Sequence, residues 1–191
     1  PPACYTSIYS APDPARFDIA DSREDVRAEF GYAPSDEVVG VVARLAPEKG
    51  HAILLDAAPR ILRERPNARF LFIGKGRSRP ALEEQVSRLG IADRVTFAGF
   101  RTDVPRLLKG LDLFVLPCID GESLGTSILE AFLMEVPVVA CDVGGVSESV
   151  RDGETGRLVK PNRNGPLAEA IVEMLGNAER SKQWALAGKA L

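Results

Sequence analysis

Arg44 and Lys49 stand five residues apart in the run Ala43-Arg44-Leu45-Ala46-Pro47-Glu48-Lys49-Gly50, just ahead of an apolar-periodic stretch that opens at His51. A guanidinium offers a fork that matches two phosphate oxygens, an ammonium adds a mobile point charge, and the N–H groups at a helix start carry partial positive charge. Together they can fix a diphosphate, each charge-assisted hydrogen bond contributing about 1.5–3 kcal/mol. The plainer alternative is a solvated turn in which Glu48 neutralises Lys49. A second pair of charges lies in the run from Pro117 to Ala131, where Glu122 is expected in a loop and Glu130 about two turns into a helix that starts near Ser123. Helical side chains lean towards the N-terminus, so both acids can reach one ligand over the helix mouth. Carboxylates are suited to accepting hydrogen bonds from sugar hydroxyls. Ile128, Leu129, Ala131, Phe132 and Leu133 leave Glu130 almost the sole polar group of a buried-looking helix, and a buried acid needs a partner.

Other loops carry weaker signals. Gly74-Lys75-Gly76 opens like a dinucleotide fingerprint, but Arg79 occupies the third glycine's place and no acid follows at the expected distance. A nicotinamide site is therefore not expected, although Gly74 suits a turn where backbone approaches a ligand. Arg101 ends a strand and can lie against a base or stay a surface arginine, and Thr102 or Asp103 can cap the helix that follows. Gly144-Gly145 opens another helix whose free N–H groups face the same side. Gly121-Glu122-Ser123-Leu124-Gly125 has the form of a nucleophile elbow, with Ser123 as the nucleophile. That reading requires a later histidine, whereas the single histidine, His51, lies upstream and reads as a first-turn helix residue. Asp152 to Gly156 is a plain turn, Trp184 docks a terminal helix, and Arg180 and Lys182 form a solvated face.

These loops must be positioned by the elements between them. Apolar runs at Val38 to Ala43, Phe70 to Ile73, Val95 to Ala98, Leu113 to Leu116, Val136 to Cys141 and Leu158 to Val159 read as strands. Most are apolar at consecutive positions, as strands covered on both faces are. Helical patterns alternate with them at His51 to Arg65, Pro80 to Leu89, Val104 to Gly110, Leu124 to Met134, Val146 to Arg151 and Leu167 to Leu175. Strand and helix in alternation, without hairpin signals, predict a Rossmann-like parallel α/β sheet with helices on both faces. Ligands in such sheets sit beyond the carboxyl ends of the strands. Residues 1–36 read as a lead-in segment, with one short helix over Ser22 to Phe30 capped by Ser22, and 37–191 as the domain.

Composition narrows the function classes. The 191 residues are 45% hydrophobic and 27% charged, the profile of a globular protein that buries one substantial core. With 24 basic residues against 27 acids there is no basic excess to hold nucleic acid. Cys4, Cys118 and Cys141 are too few and scattered for a disulfide framework or a zinc site, which implies a reducing, cytoplasmic compartment. No apolar stretch approaches the roughly 20 residues of a membrane span. The chain starts without methionine and is expected to be a piece of something longer.

In order and spacing, these motifs resemble the C-terminal half of GT-B glycosyltransferases of the retaining family 4 type. The resemblance rests on Ala43-Arg44-Leu45 through Glu48-Lys49-Gly50, Phe72-Ile73-Gly74-Lys75-Gly76, Val95 to Gly99, Asp112 to Pro117, Glu122 through Glu130-Ala131, Pro137-Val138-Val139-Ala140, Gly144-Gly145, Asp152-Gly153 and Thr155-Gly156. It runs from about Val38 to Leu175. It implies that Arg44 and Lys49 hold a donor diphosphate, Glu122 the sugar hydroxyls and Glu130 the ribose. By the same likeness Arg101 and neighbouring backbone touch the base, Gly74 lies at the donor, and the Leu124 and Gly125 amides approach sugar or phosphate. Ser123-Leu124 and Glu135-Val136 depart from the family pattern, the first at the sugar pocket and the second at a helix end.

The implied reaction transfers a glycosyl group from a UDP-, GDP- or ADP-linked sugar to a hydroxyl with retention, without metal or resident cofactor. The acceptor is expected on a missing N-terminal domain, as is any membrane contact, so this piece is expected to bind donor with little or no turnover alone. An autonomous sugar-nucleotide-binding or regulatory module and a GT-B-like nucleotide-sugar epimerase stand as alternatives.

Overall fold

A computed structural model describes residues 12–191. Cys4 lies outside the described residues. Six strands, β1 (Glu37–Val42), β2 (Ala68–Ile73), β3 (Val95–Gly99), β4 (Leu113–Leu116), β5 (Val138–Cys141) and β6 (Arg157–Val159), form one sheet in the order β3-β2-β1-β4-β5-β6. Every neighbouring pair is parallel. The helices are α1 (Arg23–Glu29), α2 (His51–Glu64), α3 (Arg79–Leu89), α4 (Val104–Lys109), α5 (Thr126–Leu133), α6 (Val146–Ser149), α7 (Asn164–Gly176) and α8 (Ala178–Lys189).

Both faces of the sheet are covered, which is why the strands are apolar at successive positions. Val39, Val41, Phe70 and Phe72 pack under α2, α3 and α7 through residues such as Leu54, Val86 and Ile171. Val38, Leu71, Phe114 and Val138 face the opposite way, onto Val26 of α1, Leu107 of α4, Phe132 of α5 and Val146 of α6. Full burial of each such side chain contributes about 1.5–3 kcal/mol. Trp184 packs α8 against the first of these layers.

Helix α1 is started by a reciprocal cap, in which the Asp25 amide donates to Ser22 Oγ and the Ser22 amide to Asp25 Oδ2. Its Arg27 is buried and donates to the Gly110 carbonyl at 3.1 Å and the Asp36 carbonyl at 3.0 Å. Arg23 and Arg27 both pair with Asp112, just before β4.

The strand order reverses between β1 and β4, so the loops that leave these two strands run side by side at the carboxyl edge. That reversal is where open α/β sheets place a ligand.

Near the site, two element starts and one cap differ from the sequence reading. Helix α5 starts at Thr126 rather than near Ser123, because Gly125 is left-handed (φ 70°) and breaks the helical path. Glu130 consequently sits about one turn, not two, into the helix. At its other end α5 closes with a Schellman arrangement in which the Val136 amide donates to the Ala131 carbonyl and the Glu135 amide to the Phe132 carbonyl. That ending delays β5 to Val138. Asp103 precedes α4 without capping it, since its carboxylate is engaged by Arg101.

Candidate functional site

The loop after β1 is fixed by backbone to the loop after β2. The Leu45 amide donates to the Lys75 carbonyl at 3.0 Å, and the Ser78 amide to the Leu45 carbonyl at 3.0 Å. Gly74 has a positive φ (148°), which side chains disfavour, and a Cβ there would stand 2.0 Å from the Ala43 carbonyl oxygen. Its own N–H donates to the Gly99 carbonyl, which ties in the end of β3. On the other side the Ile119 amide donates to the Glu48 carbonyl at 2.9 Å, joining the loop after β4. A Cβ on Gly144 would come within 1.7 Å of the Glu122 carbonyl oxygen, so the loop after β5 also leans on this cluster.

A single turn of 3₁₀ helix, Pro47–Lys49, turns the Lys49 side chain back across the strand ends. Lys49 Nζ donates to Glu122 Oε2 at 2.8 Å, and the Gly125 amide donates to Glu122 Oε1 at 3.1 Å. The two charged side chains are only 12% and 14% exposed. Burial disfavours the Lys49 cation, but the hydrogen bond to Glu122 and the Glu122 charge outweigh it and hold its pKa above the ordinary lysine range. The buried Cys118 thiol sits 3.2 Å from the Glu48 carbonyl oxygen and 3.8 Å from Glu122 Oε2. Burial, ahead of its neighbours' charges, pushes that thiol's pKa up, so it stays protonated.

The remaining candidates divide. Arg44 is 74% exposed and rests on Glu48 at 3.3 Å, so Glu48 neutralises Arg44 rather than Lys49, and the two cations do not converge. Arg101 forks onto Asp103 at 2.8 and 2.6 Å and reaches Glu29 at 2.5 Å. Those bonds, Asp103's first, drive its pKa still higher. Glu130 is half-buried, and burial raises its pKa with only partial relief from the charge of Arg16. It accepts no hydrogen bond among the described residues, so the partner a buried acid requires is not supplied by them. The Leu124 carbonyl accepts from Ser149 Oγ at 2.8 Å, and the Gly125 amide is occupied by Glu122.

His51 opens α2 as a buried residue, edge-on to Phe72 with ring centroids 5.2 Å apart. Burial and then the Lys49 charge push its pKa down to about 4. Neither ring nitrogen has a hydrogen-bond partner among the described residues, Ser123 included, so no imidazole is placed to activate that serine and the nucleophile-elbow reading fails on geometry.

Arg44, Gly74 and Arg101 line one cavity of about 680 Å³ beside this cluster. Sequence reasoning overlooked two further lining residues, Phe100 and Lys75, whose side chains meet there. It also overlooked Cys118, for which the signal was its place four residues ahead of Glu122. Among the described residues no cluster of three or more His, Cys, Asp or Glu is placed to hold a metal ion. No helix among them is long and apolar enough to cross a membrane.

Residues 36–177 match the family model of the glycosyl transferases group 1. The D-inositol 3-phosphate glycosyltransferase of Nocardia farcinica is 37% identical over 173 residues, covering 86% of this chain and 38% of that protein. The GDP-mannose-dependent alpha-(1-6)-phosphatidylinositol monomannoside mannosyltransferase of Mycolicibacterium smegmatis is 32% identical over 197 residues, covering 99% of this chain and 50% of that one. The chain thus spans half or less of the length of these relatives. Anabaena Alr3699/HepE, crystallised with UDP and glucose, superposes with a TM-score of 0.89 at 31% identity, over 96% of this chain and 50% of that one. The C-terminal domain of the LpcC protein of Francisella tularensis shares the fold, with a TM-score of 0.82 at 24% identity over 94% of this chain and 95% of that one.

Proposed function

Since the chain belongs to the glycosyl transferases group 1, we propose that it is the donor-binding half of a retaining, hexosyl-type glycosyltransferase, using a nucleotide-diphosphate sugar as donor and a hydroxyl as acceptor. The observation that carries the reading is the closed Lys49–Glu122 pair at the strand-order reversal, directly ahead of the N-terminus of α5. The UDP in the Alr3699/HepE crystals supports a nucleoside diphosphate as the donor's leaving part.

In this reading the donor diphosphate takes Lys49 away from Glu122 and draws in Arg44, whose surface contact with Glu48 is weak enough to yield. Glu122, released from its cation, accepts hydrogen bonds from the sugar hydroxyls, and Glu130 does so from the ribose. Leu124 brings its backbone N–H to the sugar or phosphate, the Gly125 amide joins it only by leaving Glu122, and Gly74 lets the loop after β2 approach the donor. The bond from the anomeric carbon to the diphosphate breaks as one to the acceptor oxygen forms on the same face, and the acceptor's hydroxyl proton passes to the departing phosphate oxygen. Negative charge gathers on the leaving diphosphate, where fixed cations and helix N–H groups stabilise it. The chain's own charges suffice in this scheme, with no resident cofactor or metal. The acceptor belongs to a domain outside this chain, so the chain alone binds donor with little turnover. Two buried, unpaired thiols, Cys118 and Cys141, support a reducing, cytoplasmic setting.

Calorimetric titration of the chain and of Arg44→Ala with UDP, GDP and ADP tests the proposal. Binding by the wild type and at least tenfold weaker binding by the variant is expected. Equal binding removes the phosphate assignment, and robust turnover by the chain alone contradicts the division of labour.

A further inference from the structure

Ser149 closes α6 as a buried residue, only 4% exposed, and its hydroxyl is engaged outside its own helix. A helical serine that bonds to backbone ordinarily donates to the carbonyl one turn back. Ser149 Oγ instead donates to the Leu124 carbonyl, 25 residues away, at 2.8 Å. That carbonyl shares a peptide with the Gly125 N–H, which donates to Glu122 Oε1 at 3.1 Å. A peptide is a rigid plane whose C=O and N–H point opposite ways, so a hold on the carbonyl sets the direction of the amide. The other carboxylate oxygen, Glu122 Oε2, accepts from Lys49 Nζ at 2.8 Å. One chain of hydrogen bonds thus runs from α6 through the Leu124–Gly125 peptide and Glu122 to Lys49.

This peptide needs a hold because of the residue that follows it. Gly125 is left-handed (φ 70°), and a Cβ there would lie 2.8 Å from Ile128 Cδ1, so glycine alone suits the position. Glycine populates positive and negative φ about equally, so the plane ahead of it can turn over at little conformational cost. A peptide turned over would aim a carbonyl oxygen at Glu122 and at any phosphate beside it, where repulsion replaces a hydrogen bond. Ser149 has firm footing from which to prevent this. A Cβ on Gly144 or Gly145, which lead into α6, would stand 1.7 Å from the Glu122 carbonyl oxygen or 2.0 Å from that of Ser123, so α6 is seated directly on the loop after β4. Val146 and Val150, on either side of Ser149 in the chain, are fully buried in the core beneath.

We infer that Ser149 is a positioning residue for the donor, holding the Leu124–Gly125 peptide with its N–H towards Glu122 and, once the donor enters, towards the diphosphate. The inference rests on the donor-binding reading above and adds a residue that itself touches no ligand. In that reading Glu122 turns to the sugar hydroxyls and gives up the Gly125 amide. With its carbonyl still held by Ser149, the amide keeps its direction and a phosphate oxygen takes it over.

Calorimetric titration with UDP of the wild-type chain, Ser149→Ala, Ser149→Thr and Arg44→Ala tests this, together with amide hydrogen exchange followed by NMR. Ser149→Ala is expected to weaken UDP about fivefold, the share of one hydrogen bond. Its Gly125 amide is expected to exchange about fivefold faster, while the core amides of Val39 and Val115 exchange as in the wild type. Ser149→Thr keeps the hydroxyl and is expected to restore both readings. Equal UDP affinity for Ser149→Ala and wild type overturns the inference. So does weakened binding in which Gly125 exchange is unchanged or rises only in step with the core amides, as does a threonine variant that binds as weakly as the alanine one. If Arg44→Ala still loses UDP in any of those cases, the donor-binding reading survives. Absence of UDP binding by the wild type ends that reading and this inference with it.

Discussion

Lys49 and Glu122, 73 residues apart in the chain, close on each other at 2.8 Å with both side chains largely shut off from water. One supplies the cation proposed for the donor phosphates and the other the carboxylate proposed for the sugar, and the fold holds these two charges against each other. A partly dry ion pair of this kind is a poor source of stability but costs a good deal to break one-sidedly. Its formation explains how two largely buried charged groups are tolerated at the sheet edge. In the proposed reading donor entry is an exchange, in which phosphate replaces carboxylate as the partner of Lys49.

Charge removal at Glu122 separates these roles. Glu122→Gln keeps an acceptor for the Gly125 amide while leaving Lys49 free of its competing anion. Nucleoside diphosphate binding to the chain is expected to tighten several-fold, whereas transfer by any longer enzyme that contains this chain is expected to fall. Lys49→Met leaves Glu122 enclosed without a cation and is expected to cost about 2 kcal/mol in urea unfolding as well as nucleotide affinity. Equal nucleotide affinities for Glu122→Gln and wild type would show that the pair does not gate the site.

Gly144 tests whether the backbone beneath Glu122 matters. Its φ of 55° and the 1.7 Å that a Cβ would leave to the Glu122 carbonyl oxygen allow no side chain without displacing that loop. Gly144→Ala is expected to lower stability by more than about 1 kcal/mol and to weaken nucleotide binding together with it. Gly153 is also left-handed (φ 76°) but has open space around its Cβ position. Gly153→Ala is therefore the control, expected to lose some stability with no change in binding.

Most of the scaffold was legible because both faces of the sheet are covered, so each strand announces itself as a short continuous apolar run. The alternation of such runs with amphipathic segments left parallel pairing as the consistent topology. The start of α5 was not legible, because apolar periodicity continues through Leu124 while the left-handed turn at Gly125 overrides it. The partners of the charged loop residues were also hidden. Arg101 reaches Glu29 from 72 residues away, and no local pattern marks that meeting. Lys49 was read against its neighbour Glu48, yet the fold gave Glu48 to Arg44 and Lys49 to the distant Glu122. Proximity in sequence is a weak guide to ion pairing once loops from different strands converge.

His51 introduces an acid-sensitive element beside the site. Its pKa in the folded chain is about 4, below the ordinary 6.5, because burial and Lys49 disfavour the imidazolium. Between those values the unfolded chain takes up a proton that the folded chain refuses, so stability is full above pH 6.5 and falls as pH drops towards 4. His51→Phe retains an edge contact with Phe72 and removes both unpartnered nitrogens. Urea unfolding from pH 7 to 4 is expected to show a shallower loss for the variant than for the wild type. Parallel curves would assign the acid sensitivity elsewhere.

Glu135 combines strain with attraction in one residue. It occupies the left-handed position that ends α5 (φ 57°), where glycine is the usual residue, at a cost of about 1–2 kcal/mol. Its carboxylate receives Lys182 at 2.8 Å and Lys189 at 2.9 Å, fastening α8 to the end of α5. Lys182 thus belongs to a clasp rather than to a merely solvated face. The hydrogen bonds from Lys182 and Lys189 hold the Glu135 pKa down at about 2, against an ordinary 4.5. A carboxylate depressed in this way contributes stability that is complete above pH 4.5 and lost as pH falls through 2. The backbone strain remains at every pH. Glu135→Gly removes both, so at pH 7 the lost ion pairs and the relieved strain largely offset each other. Near pH 2 the wild type keeps only the strain, and the glycine variant is expected to be the more stable of the two. Thermal unfolding of both proteins across pH 2 to 7 should therefore show the difference in their midpoints growing in favour of Glu135→Gly as the acid end is approached. A difference that stays constant over this range would mean that the two lysines do not hold the clasp.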